Sequence, residues 1–159
     1  MRHLIQPNSR TCGQTCVAMA AGIDIEAAIK LFGHKHGTST RSMVRVLRHL
    51  GFKPAACLQR ITPDRPMPKR SICKMRFRRR DGRGWKSGWH WVLIWDGVLY
   101  DPLGPDFEHK GQFQLSSFLD LTHRTIEKNE LEHNKSMEGH VRNHRRRHLP
   151  ECDALAESR

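Results

Sequence analysis

The chain is poor in acid: 16 aspartates and glutamates stand against 28 lysines and arginines in 159 residues, a formal charge of +12. That balance excludes an acidic, solvating polypeptide and favours anionic partners. Long apolar runs are also missing. None approaches the roughly 18 consecutive residues of a spanning helix, so no membrane span is expected. Met1-Arg2-His3 leads into no apolar signal core, and the expectation is a cytoplasmic protein. The five cysteines, at 12, 16, 57, 73 and 152, are odd in number and lack framework spacing, so reduced thiols are expected and a disulfide scaffold is not. His34 and His36 flank Lys35 without zinc-ligand spacing and are expected as surface loop residues. Neither a metal nor a cofactor is expected.

What the chain does contain is an ordered set of chemically active residues. In Gln6-Pro7-Asn8-Ser9-Arg10-Thr11-Cys12-Gly13-Gln14-Thr15-Cys16, turn-forming residues give way at Cys12 to a small-residue and apolar run that closes at Gly22. The pattern predicts a helix over 12–21 with Gly22 as its C-terminal cap. A thiol at a helix N-terminus meets the positive end of the macrodipole, which favours thiolate as a nucleophile. Gln6 lies a few residues upstream, where its amide and the Cys12 backbone N–H can both donate to a developing oxyanion. Cys16, one turn further on, is expected to face the core.

The other half of the constellation is one unit, Trp89-His90-Trp91-Val92-Leu93-Ile94-Trp95-Asp96-Gly97-Val98-Leu99-Tyr100-Asp101-Pro102. Asp-Gly between two apolar, β-branched and aromatic runs predicts a two-residue hairpin turn. Trp95 then pairs with Val98, Ile94 with Leu99, Leu93 with Tyr100 and Val92 with Asp101. His90 shares a strand face with Val92, so Asp101 lies one diagonal step away, roughly 7–8 Å between backbones. Asp96 sits at the turn, about 20 Å along the strand from His90. Asp101 is therefore the expected orienter of the imidazole. Trp89, Trp91 and Trp95 fall on the opposite face and are expected in the core, and Trp85, Trp89 and Gly13 are the candidate substrate contacts.

With those residues in view, the chain resembles the bacteriocin-leader-processing cysteine peptidases, papain-like domains of some peptide exporters. Gln6, the Cys12-Gly13-x-x-Cys16 helix, His90 on an apolar strand and Asp101-Pro102 after the next strand carry the likeness over roughly residues 1–120. Gly37-Thr38-Ser39 entering the 40–50 segment and Gln112–Leu119 after Asp-Pro extend it. The resemblance implies an α+β papain-like fold with N-terminal helices packed on an antiparallel sheet. It also implies Cys12 as nucleophile, His90 as general base and acid, Asp101 as orienter and Gln6 as oxyanion donor, acting on a peptide or protein substrate.

The remaining expectations concern architecture and charge. Helices are predicted near 12–21, 24–32 and 40–50, strands near 53–59, 71–78, 89–95 and 98–101, and a short helix near 115–121. Residues 1–118 hold 20 basic against 8 acidic residues, whereas the rest hold 8 of each. The densest run, Lys69 to Arg80, reads as a strand leading into a basic loop over 78–86. This basic face either recruits an acidic protein or nucleic acid, or keeps a sheet edge from aggregating. A binding module without catalysis is thus the alternative to the peptidase. Residues 121–159 read as a charged helical or partly disordered tail, whose histidines 123, 133, 140, 144 and 148 fit a solvated face.

Overall fold

The computed structural model describes residues 1–81, 84–104 and 112–123. The predicted tail beyond residue 123 and four of its five histidines lie outside the described residues. Three helices precede the main sheet: α1 (Cys12–Ala21), α2 (Ile25–Phe32) and α3 (Thr40–His49). Each has a physical reason to start and stop. Ser39 caps α3 by accepting from the Ser42 N–H at 3.1 Å. Helix α2 carries Glu26 in its first turn and Lys30 in its last, matching the macrodipole. Helix α1 is buried from Cys12 to Ala20, as its small, apolar composition permits.

Five strands follow: β1 (Gln59–Arg60), β2 (Arg70–Asp81), β3 (Gly84–Trp95), β4 (Val98–Tyr100) and β5 (Gln112–Asp120). They form one antiparallel sheet in the order β1-β5-β2-β3-β4. The chain is therefore α+β, helices first. Ile72, Trp91, Leu93 and Leu119 join the helices in the larger core cluster. Cys73, Met75, Val92, Ile94 and Phe118, of opposite parity along their strands, form a second one.

The hairpin between β3 and β4 has the expected register: Trp95 with Val98, Ile94 with Leu99, Leu93 with Tyr100. Asp96 and Gly97 both adopt positive φ, 51° and 83°, as a two-residue turn matched to the strand twist requires. Asp96 is engaged there by Arg70, whose Nε lies 2.8 Å from Oδ1. It takes no part in orienting His90.

Several expectations are corrected. The segment 115–121 is not a helix, because residues 112–120 form β5. Leu115, Phe118 and Leu119 have helical spacing, but the cause is a bulge. Met75 pairs with Leu115 and Lys74 with Ser117, so Ser116 is the extra residue and the apolar phase changes across it. The Ser116 hydroxyl donates to the Lys74 carbonyl at 3.0 Å, fixing the irregularity. The strand expected over 53–59 shrinks to Gln59–Arg60. Pro54 removes a ladder donor, and the Lys53 N–H is spent on the His123 carbonyl at 2.9 Å. The basic loop expected over 78–86 is mostly strand: β2 runs to Asp81 and β3 starts at Gly84. Cys12, Cys16 and Cys73 are free thiols.

Candidate active site

The site forms where the start of α1 meets the middle of β3 and the loop that leaves β4. Cys12 is the first residue of α1, and the backbone N–H groups of Cys12, Gly13 and Gln14 have no intrahelical acceptor. His90 Nε2 lies 2.8 Å from Asp101 Oδ1. The other ring nitrogen, Nδ1, is thereby left free of Asp101, and the Cys12 side chain is near enough to raise the proton affinity of the ring. All three groups are nearly inaccessible, with 8%, 6% and 5% of Cys12, His90 and Asp101 exposed. Burial lowers the proton affinity of His90, but the hydrogen bond and charge of Asp101, together with the nearby Cys12, outweigh it and hold the imidazole at about 9.

Asp101 is itself held. Its Oδ1 also accepts from the Leu103 N–H at 2.8 Å. Its backbone carbonyl accepts from His3 Nε2 at 2.7 Å, and the His3 ring stands edge-on to Tyr100. Three residues later the Gln6 N–H donates to the Pro102 carbonyl at 2.7 Å. The N-terminal segment thus straps the Asp-Pro loop and delivers Gln6 beside it. The Gln6 side-chain amide makes no hydrogen bond among the described residues, and its Oε1 is buried. Among the described residues that amide is uncommitted.

Sequence reasoning missed the residues that brace Cys12 from behind. Gln14 is fully buried, and its Nε2 donates to the carbonyls of His34 at 3.2 Å and His36 at 2.7 Å, pinning that loop to α1. Thr38 lies against Gly13, and its carbonyl accepts from the Trp91 indole N–H at 3.3 Å. Polar residues two beyond Cys12 and just before a helix are weak signals alone. Only the packing shows that both are buried.

The remaining candidates fall differently. Cys16 is fully buried; burial first, and then Cys12, Asp101 and Cys73, push its thiol well above the ordinary value. Gly13 is closed off by Thr38 and Met43, which gives it a packing role and shuts its α-carbon away from substrate. Trp91 is buried and Trp95 half-buried, but Trp89 is 48% exposed, correcting its expected place in the core. The Trp85 backbone pairs with Arg80 in the β2–β3 ladder, and its side chain lies outside the described residues. His34 is half-buried and His36 exposed. Among the described residues, no group of three or more His, Cys, Asp or Glu side chains is placed to hold a metal.

A cavity of about 350 Å³ opens between Leu4, Met19, Ile23 and Trp95. It sits at the far end of α1, about 15 Å along the helix axis from Cys12, and lies apart from the site. No helix among the described residues is long and apolar enough to cross a membrane. Comparison with protein-family models, curated proteins and solved structures finds no match to this chain. The functional reading therefore rests on the geometry of the site.

Proposed function

We propose that the chain is a cysteine peptidase of papain-like fold that hydrolyses a peptide or isopeptide bond through Cys12, His90 and Asp101. The observation that carries the reading is one buried imidazole set between a carboxylate and a thiol. Its Nε2 is 2.8 Å from the Asp101 carboxylate, and Cys12, at a helix N-terminus, is near enough to raise the proton affinity of the ring. The likeness to the leader-processing peptidases adds support through the order and spacing of the same residues.

The chemistry follows from those positions. His90 takes the Cys12 proton and the thiolate adds to the substrate carbonyl carbon. The carbonyl electron pair moves to oxygen, where the Gln6 amide and the Cys12 N–H are the donors at hand. As the tetrahedral intermediate collapses, the carbon–nitrogen bond breaks and the His90 proton goes to the departing amine, leaving a thioester. His90 then deprotonates a water that attacks the thioester, releasing the acid and restoring the thiol. Asp101 keeps the ring in position and stabilises the imidazolium, without itself taking the proton.

The test is a digest of a proteome-derived peptide mixture, read by mass spectrometry for new termini. The wild-type protein is expected to produce termini that disappear with Cys12→Ala and persist with Arg41→Glu. Identical product sets from wild type and Cys12→Ala contradict the reading. Deamidated side chains without new termini would assign the same residues to amide hydrolysis on side chains.

A further inference from the structure

The helix-side surface of the β2–β3 ladder carries the same arrangement twice, once complete and once lacking its acid. At one end Arg70 pairs across the strands with Trp95, its guanidinium lies 4.8 Å from the ring centroid, and Asp96 closes the group at 2.8 Å. Cation, aromatic ring and carboxylate satisfy one another there. Further along the same face, Lys74 Nζ lies 4.8 Å from the centroid of the Trp89 ring, and Arg76 sits directly across the ladder from Trp89. Neither Lys74 nor Arg76 has an ion-pair partner among the described residues. Here two cations and an aromatic ring are present, and no carboxylate joins them among the described residues.

The second group is rigid and well placed. Trp89 stands edge-on to buried Trp91, 5.6 Å between centroids and 80° between planes, and Trp91 is anchored to Thr38. Thr38 in turn packs on Gly13, next to Cys12. Trp89 precedes His90 in β3 and yet is 48% exposed. A large aromatic residue held open beside two uncompensated cations is a surface prepared for a ligand.

We infer that Lys74, Arg76 and Trp89 form a docking ledge for an acidic segment of the polypeptide that the enzyme cleaves, with a glutamate or aspartate taking the place that Asp96 fills beside Arg70 and Trp95. The inference rests on the peptidase reading only in naming that polypeptide as substrate. Charge complementarity selects an anion. The carboxylate already used in the first group, together with the line of contacts from Trp89 through Trp91 and Thr38 to Gly13 beside Cys12, selects an acidic peptide over nucleic acid. Lys74 also covers a face of Trp89 that a stacked base would need.

The test uses the full chain carrying Cys12→Ala, so that binding is read apart from turnover. A fluorescein-labelled Glu-Ala decapeptide is titrated at low salt by anisotropy, with the Gln-Ala decapeptide and a single-stranded RNA oligonucleotide alongside. The glutamate peptide is expected to bind at least about tenfold more tightly than the glutamine peptide. That preference should be lost in Lys74→Glu/Arg76→Glu, weakened in Trp89→Ala, and kept in Arg41→Glu/Arg45→Glu, which reverses equal charge on the exposed face of α3. Circular dichroism confirms that each variant is folded, and Lys74→Gln/Arg76→Gln repeats the test with less perturbation. Equal binding of the two peptides, equal loss in the α3 control, or tighter ledge-dependent binding of the RNA overturns the proposal. Ledge-dependent peptide binding in a protein that cleaves nothing would leave the ledge standing and remove the peptidase.

Discussion

Replacing Asp101 with asparagine is expected to bring the His90 titration down from about 9 to within or below the ordinary imidazole range. The carboxylate is the strongest influence raising proton affinity, and without it the burial of the ring acts against the cation. The sign carries over to stability. A histidine whose proton affinity is higher folded than unfolded contributes stability that is fully present below about 6.5. That contribution disappears as pH rises through about 9. Wild-type protein should therefore lose stability across this window, by on the order of 3 kcal/mol if this pair acts alone. Asp101→Asn should be nearly flat there and less stable at its lower edge. Denaturant melts at a series of pH values, with His90 followed by NMR, measure both. A His90 titration unchanged by the substitution would show that the 2.8 Å contact does not set the protonation of the ring.

Gly13→Ala is expected to destabilise the fold by roughly 3 kcal/mol or more, a penalty of severe overpacking. A β-carbon at this position would lie 1.9 Å from Thr38 Oγ1, 2.9 Å from Met43 Cε and 3.0 Å from Thr38 Cβ. Thr38 Oγ1 is buried without a hydrogen-bond partner among the described residues, so its rotation sacrifices none of the bonds described. Rotation does not relieve the Cβ contact, however, and the Thr38 backbone is held by Trp91. The start of α1 must then move, and Cys12 with it. A fall in melting temperature of about 10 °C or more is expected for a domain of this size. The double variant Gly13→Ala/Thr38→Gly should recover part of that loss, the coupling expected of two residues in contact. A Gly13→Ala protein as stable as wild type would mean that α1 can start elsewhere.

The thiol, imidazole and carboxylate were legible because two local rules act on them. A turn-to-helix transition fixes Cys12, and the parity of a two-residue hairpin puts His90 and Asp101 within reach of each other. Gly22, a glycine just past an apolar helix, likewise marks where α1 ends. The failures occurred where a long-range contact decides. The bulge at Ser116 makes a strand look helical, since nothing in residues 112–120 announces which strand it will meet. The extent of β2 and β3 was underestimated because a run of arginines resembles a solvated loop until cross-strand pairing is known. Parity puts Trp89 on the same face as core residues Trp91 and Leu93, but parity selects only a face. Whether the helices reach far enough along that face to cover it is a matter of packing.

The central claim is that His90 activates Cys12. Its most direct test is the iodoacetamide alkylation rate of each cysteine near neutral pH, resolved by peptide mass spectrometry, in wild type and in His90→Gln. Glutamine retains a donor for buried Asp101, so the fold is better preserved than with alanine. Cys12 is expected to react at least about tenfold faster than Cys16 and Cys73, and to lose that advantage in His90→Gln while the other two are unchanged. A Cys12 rate that is the same with and without His90 would contradict the account.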